Sequence, residues 1–124
     1  MREIKLHIGG KERTFHFGLG FHEEALVGEG VSNIMEISST RLMYYSMVYA
    51  LKREGKDVDF TLYDVFDWMD DAEDFTEITT RFQIGFMKSM ASKLETKEKA
   101  VIDKVVSELE KKLKPQKKAA KTSK

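Results

Sequence analysis

With 124 residues, 41% of them hydrophobic, and 21 basic side chains balanced by 21 acidic ones, the chain is the size of one domain and can bury a core without covalent staples. It has no cysteine, which excludes disulfides and thiolate metal sites. No apolar run approaches the roughly 18 residues needed to cross a bilayer, and "MREIKLHIGG" lacks the layout of a signal peptide, so a soluble cytoplasmic protein is expected.

From the N-terminus, "EIKLHI" alternates Ile4, Leu6 and Ile8 with polar neighbours, the period of a half-buried strand. "GGK" follows, and then "ERTFHF" with Phe15 and Phe17 on one face. Two alternating runs about a Gly-Gly turn predict a β-hairpin over 3–17. A short helix over about 20–28 follows, with Glu23 and Glu24 in its first turn and with Gly28 and Gly30 to stop it. "LMYYSMVYAL" is apolar or aromatic nearly all round, which predicts a central helix over 38–54, buried on several sides and ended by Gly55.

Thr61 and Asp64 have the spacing of a capping box for a helix over 62–71. In that helix Leu62, Val65, Phe66 and Met69 face inward, and Asp64, Asp67, Asp71 and Asp74 outward. Asp74 and Glu77 repeat the spacing before a helix over 75–94, where Ile78, Phe82, Phe86, Met90 and Leu94 step by four. Ile102, Val106, Leu109 and Leu113 step 4-3-4 along a helix over 97–113, a two-heptad seam that Pro115 is expected to close. The fold class is therefore α+β, mainly α. One domain over 1–113 carries a hairpin and a bundle of about five helices, and 114–124 is a flexible basic tail.

The zero net charge is a balance of unlike segments. Residues 1–92 carry 10 basic and 16 acidic side chains, and residues 93–124 carry 11 lysines and 5 acids. Nine of the acids fall within 57–77, which has no Lys or Arg. Such segregation reads as solvated faces plus a tail. The other reading is a charged partner, or one molecule's tail meeting another's acidic belt.

No stretch supports catalysis or a cofactor. Gly18-Leu19-Gly20 could begin a phosphate-binding G-x-G-x-x-G turn, but its sixth position is Glu23, whose charge would repel phosphate, and no Lys-Ser/Thr pair follows. His16, His22 and Glu23, with His7 elsewhere, lack the spacings that hold a metal. No nucleophile elbow and no EF-hand loop occur. The basic tail lacks interleaved aromatics and sits on an acidic body, which argues against nucleic acid. The chain reads as a non-enzymatic binding protein without metal or cofactor. Gly18 and Gly20 read as a structural joint in which Phe17, Leu19 and Phe21 fill the corner.

Methionine and aromatic residues are over-used on adaptable protein-binding surfaces. Tyr44, Tyr45, Tyr49, Phe66, Trp68 and Met69 are accordingly the candidate partner surface. Met43, Met47, Met87 and Met90 belong to the same enrichment, more than half of which a methionine-rich core would absorb.

The stretch "IKLHIGGKERTFHFGLGFHEE" resembles the N-terminus of the tail assembly chaperones of long-tailed siphophages, which open with a strand, a Gly-Lys turn, a second strand and an F-x-x-G-x-G-F-like entry to a helix. The matching residues are Gly10, Lys11, Phe15, Phe17, Gly18, Leu19, Gly20 and Phe21, within about 25 residues; the rest agrees in length and character only. The resemblance implies a chaperone that binds the tape-measure protein, the tail-tube protein or both before the tail polymerises. It would act in the cytoplasm of the bacterial host and be absent from the mature virion. The alternative is a helical adaptor with no phage role that self-associates as a homo-oligomer through residues 97–113.

Overall fold

The structure, a computed structural model, describes residues 2–92 and 96–122, with side chains described as far as Leu113. Strands β1 (Glu3–Ile8) and β2 (Lys11–His16) form an antiparallel hairpin with Ile8 opposite Lys11 and Glu3 opposite His16. The two-residue turn has Gly9 at φ 64 and Gly10 at φ 85, values that glycine adopts at little cost and that match the twist of the strands. Beyond the hairpin the Phe17 amide donates to the Arg2 carbonyl at 2.6 Å and continues the ladder by one rung.

Among the described residues five α-helices follow: α1 (Leu19–Glu29), α2 (Ser39–Arg53), α3 (Leu62–Asp71), α4 (Phe75–Ala91) and α5 (Thr96–Thr122). The hairpin followed by a small helical bundle is the architecture expected from the periodicities. α2 is its centre, packing against β2, α1, α3 and α4 and burying Leu42, Met43, Ser46, Met47, Val48 and Ala50. The Ser38 hydroxyl caps α2 by accepting from the Arg41 amide at 3.3 Å. Thr61 and Asp64 form the full capping box of α3, each side chain accepting from the other's backbone N–H.

A phenylalanine cluster locks the hairpin to the helices. Phe15, Phe17, Phe21 and Phe82 are at most 1% exposed, and full burial of such a side chain is worth about 1.5–3 kcal/mol. The Phe17 ring stands edge-on to Phe82, Phe21 and Phe86 at centroid distances of 5.4, 5.8 and 5.9 Å, the arrangement that ring quadrupoles favour. α4 is two-sided. Ile78, Phe82 and Phe86 enter this core, whereas Ile84 and Met87 meet Ile102, Val106, Leu109 and Leu113 of α5 in a second, separate cluster.

Six expectations need correction. Glu23 and Glu24 lie beyond the first turn of α1, which begins at Leu19 and has no acid there. Gly28 lies inside α1 and does not end it; the helix stops at Gly30, which has φ 67. Leu19 leaves the corner and is 70% exposed, because the turn of α1 that buries Phe21 and Ala25 rotates position 19 outward. Asp74 occupies the cap position of α4, but its side chain accepts no cap hydrogen bond, so the second capping box is absent. α4 ends at Ala91, and Leu94 lies outside the described residues. Pro115 lies within α5, which continues to Thr122 although an interior proline removes one backbone rung and crowds the preceding turn. The side chains of the expected flexible tail lie outside the described residues, as do residues 123 and 124 altogether.

Candidate binding surface

The Gly-Leu-Gly joint is built from hydrogen bonds and ring packing. Gly18 is the N-cap of α1 in extended conformation (φ −68, ψ 175), and its amide donates to Nδ1 of His16 at 3.1 Å. The Ser89 hydroxyl on α4 donates to the Phe17 carbonyl at 3.2 Å, which fixes the strand exit against the core. His16 is 7% exposed and stands edge-on to Tyr49 at 5.2 Å. Burial, followed by the nearby Arg53 charge, holds its pKa below the usual 6.5, as desolvation does for any cation-forming group.

Neither Gly18 nor Gly20 has positive φ. Their small size is what matters: a Cβ on Gly20 would fall 2.6 Å from Cε1 and Cζ of Tyr49. Gly28, two turns further along α1, receives Tyr45 in the same way, with Cε1 2.8 Å from where a Cβ would stand. Two glycines on one face of α1 thus admit two tyrosines from successive turns of α2.

This packing draws the expected partner residues partly or wholly inward. Tyr45 and Tyr49 are half-buried between α1 and α2, and Tyr44 packs against the core beside Phe60 with ring centroids 6.0 Å apart. The Tyr45 hydroxyl donates to Oε2 of Glu29 at 2.9 Å. Burial and then this carboxylate push its pKa up to about 12. Both oxygens of Glu29 also accept from Nη1 of Arg41, whose guanidinium lies 5.7 Å from the centre of the half-buried Phe66 ring.

Trp68 is half-buried against the hairpin turn, under Arg13 and over Gly9. Met69 is 4% exposed and Met43 and Met47 are at most 1% exposed, so these methionines are core. The candidate residues hold the domain together, because a small bundle draws its largest side chains inward to complete its core.

The outward-facing large apolar residues are others: Leu19 and Val27 on α1, Met35, Tyr63, Phe75, and Val101 and Val105 on α5. Leu19 and Val27, 70% and 77% exposed, lie two turns apart and flank Glu23. Sequence reasoning missed Leu19 because it treated the Phe-Gly-Leu-Gly-Phe stretch as one buried unit. The 4-3-4 seam of α5 is turned toward α4, which leaves Val101 and Val105 as its outward apolar positions.

A groove of about 370 Å³ runs between β2, the C-terminal half of α2 and residues 56–60. Its charged rims pair with one another, Lys11 with Asp59 at 3.5 Å and Lys56 with Glu54 at 2.9 Å. Among the described residues no group of three or more His, Asp or Glu side chains is placed to hold a metal, and no helix is long and apolar enough to cross a membrane. Compared with family models, with curated proteins and with solved structures, the chain finds no match in any of the three.

Proposed function

We propose that the protein is a tail assembly chaperone that binds the tape-measure protein, tail-tube subunits or both before the tail polymerises. It does so without catalysis, in the host cytoplasm, and stays out of the finished virion. The resemblance of the first 24 residues supports this reading, and one observation carries it. Leu19, in the middle of the matching Phe17–Phe21 stretch, is 70% exposed while Phe17 and Phe21 are fully buried. The Leu19 side chain thus gives little to the core and is open to another protein. Val27 extends the same helix surface, offering an amphipathic partner two apolar anchors around a carboxylate.

Co-expression with the neighbouring tape-measure and tube genes, followed by affinity capture through this chain, tests the proposal. Capture of either product is expected, with loss in Leu19→Glu and Val27→Glu variants that keep the wild-type thermal melt. Failure to capture both products overturns the reading.

A further inference from the structure

The hairpin turn determines which backbone groups of β1 face outward. A two-residue turn makes Ile8 and Lys11 a hydrogen-bonded pair, and such pairs alternate along an antiparallel ladder. Leu6 with Arg13 and Ile4 with Phe15 are therefore bonded pairs in the observed register. The Phe17-to-Arg2 bond falls where this alternation places the next one. It follows that the N–H and C=O groups of Glu3, Lys5 and His7 project away from β2. Among the described residues no backbone hydrogen bond outside the hairpin reaches them, and all three side chains are exposed. Helix α4 meets β1 at Ile4, on the core-facing side of the strand, where Gly85 lies against it, whereas on the other strand α2 packs along β2 and His16 at its end is buried.

We infer that the free edge of β1 pairs antiparallel with β1 of a second copy, centred on Ile4, to give a four-stranded sheet with order β2-β1-β1-β2. Charge complementarity selects this partner and register. Centring on Ile4 sets Glu3 of each copy directly opposite Lys5 of the other, two opposite-charge pairs at hydrogen-bonded positions. Centring on Lys5 would oppose lysine to lysine, and centring on Leu6 would oppose Lys5 to His7. In the chosen register the two Ile4 side chains meet at the close, non-hydrogen-bonded position, and Leu6 lies opposite Arg2. Ile4 and Leu6 are only half-buried in the single chain although they lie on its core-facing side, so pairing would cover apolar surface now open to water. An edge-to-edge contact of this length belongs to the small, transient class of interfaces. The inference is independent of the chaperone reading, which concerns α1.

Sedimentation velocity over a concentration series tests it with three variants. The full chain should shift from its 14.3 kDa mass toward twice that value as concentration rises. Lys5→Pro removes an outward N–H without breaking a hairpin bond. It should remain monomeric at every concentration while Trp68 emission stays that of the wild type. Glu3→Lys should weaken the dimer roughly 2- to 30-fold, since it reverses two cross-strand pairs. The double variant Glu3→Lys/Lys5→Glu should restore it, because residue 3 faces residue 5 of the other copy. A monomer throughout the series overturns the inference and makes the edge one protected by its charges. A dimer that survives Lys5→Pro, or a double variant that stays weak, also overturns it.

Discussion

The guanidinium of Arg13 lies 4.2 Å from the centre of the Trp68 ring and fastens the hairpin to α3. Its Nε donates to the Ile8 carbonyl at 3.0 Å, Nη1 lies 3.8 Å from Asp59, and the Phe60 ring is 5.2 Å away. A planar fork can stack on rings and donate along its edge at once, whereas a lysine ammonium cannot. Arg13→Lys should therefore lower unfolding free energy by about 1–2 kcal/mol despite keeping the charge. Urea unfolding followed through Trp68, the sole tryptophan, measures this. A variant as stable as wild type would mean that the stack is ornamental to the fold.

Gly20 and Tyr49 make a second such contact, and here the side chain and the cavity require each other. Gly20→Val forces the ring out and should cost more than the ~1 kcal/mol typical of point substitutions. Truncating the ring by Tyr49→Ala should itself destabilise by about 3–5 kcal/mol or somewhat less, the site being half-buried. The pair together should cost less than the sum, since valine then occupies part of the space the ring has left. Thermal melts of the two single variants and the double variant complete the cycle, and strict additivity would show that the two residues do not share the space.

Thr61 and Asp74 were alike in sequence, each an N-cap residue three positions before an acid, and they differ in the folded chain. Thr61 accepts from the Asp64 amide at 3.2 Å, whereas Asp74 makes no side-chain cap bond. Thr61→Ala should cost about 1 kcal/mol, and Asp74→Ala should cost clearly less. Denaturation midpoints compare them directly. An equal loss would require Asp74 to stabilise α4 through its charge at the helix N-terminus instead.

The hairpin, α2 and α3 were legible because an apolar pattern there agrees with local chemistry at the ends, as Thr61 and Gly55 illustrate, whereas α1 shows no such period and the end signals read for α4 and α5 did not hold. What escaped was tertiary. Gly28 reads locally as a helix stop, yet Tyr45 fills the space beside it and the helix continues; propensity is a weak prior against such a contact. The 3-10 turn Ile34–Glu36, capped by Asn33, is too short to show a period. The tyrosines of α2 looked like surface because a helix that is apolar all round has no evident inner side. Their partners, two glycines on a different helix, could be named only once the helices were packed. The exposed pair Leu19 and Val27 was hidden for the converse reason, since each stands among residues that do face inward.

Removing residues 114–124 deletes five lysines and no acid, which shifts the formal net charge from 0 to −5. Leu113 is the last large apolar residue and closes the α4–α5 cluster, so truncation after it leaves the described packing whole. The truncated chain should keep its melting temperature and far-UV dichroism per residue, while its isoelectric point falls. A cooperative loss of helix would show that the basic end supports α5.

His16 gives the fold a pH dependence whose sign follows from its burial. Desolvation, Arg53 and Arg2 lower its pKa in the folded chain, and Glu3 opposes them more weakly than burial acts. The unfolded chain then binds the proton more readily, so stability rises with pH wherever the unfolded state holds more protons. The contribution is complete above about pH 6.5, the unfolded value, and is lost as pH falls from there toward the folded value. The slope from this one group cannot exceed about 1.4 kcal/mol per pH unit. Protonation also ends the acceptance of the Gly18 amide by Nδ1, a bond within the turn that leads into α1, so acidification should loosen the joint before the rest of the core. His16→Asn keeps an acceptor near the Nδ1 position without titrating. Urea unfolding of wild type and variant between about pH 5 and 7.5, a window spanning the ordinary histidine pKa, should give a sloping line for the first and a flatter one for the second. Parallel lines would mean that His16 takes up its proton in the folded chain without loss.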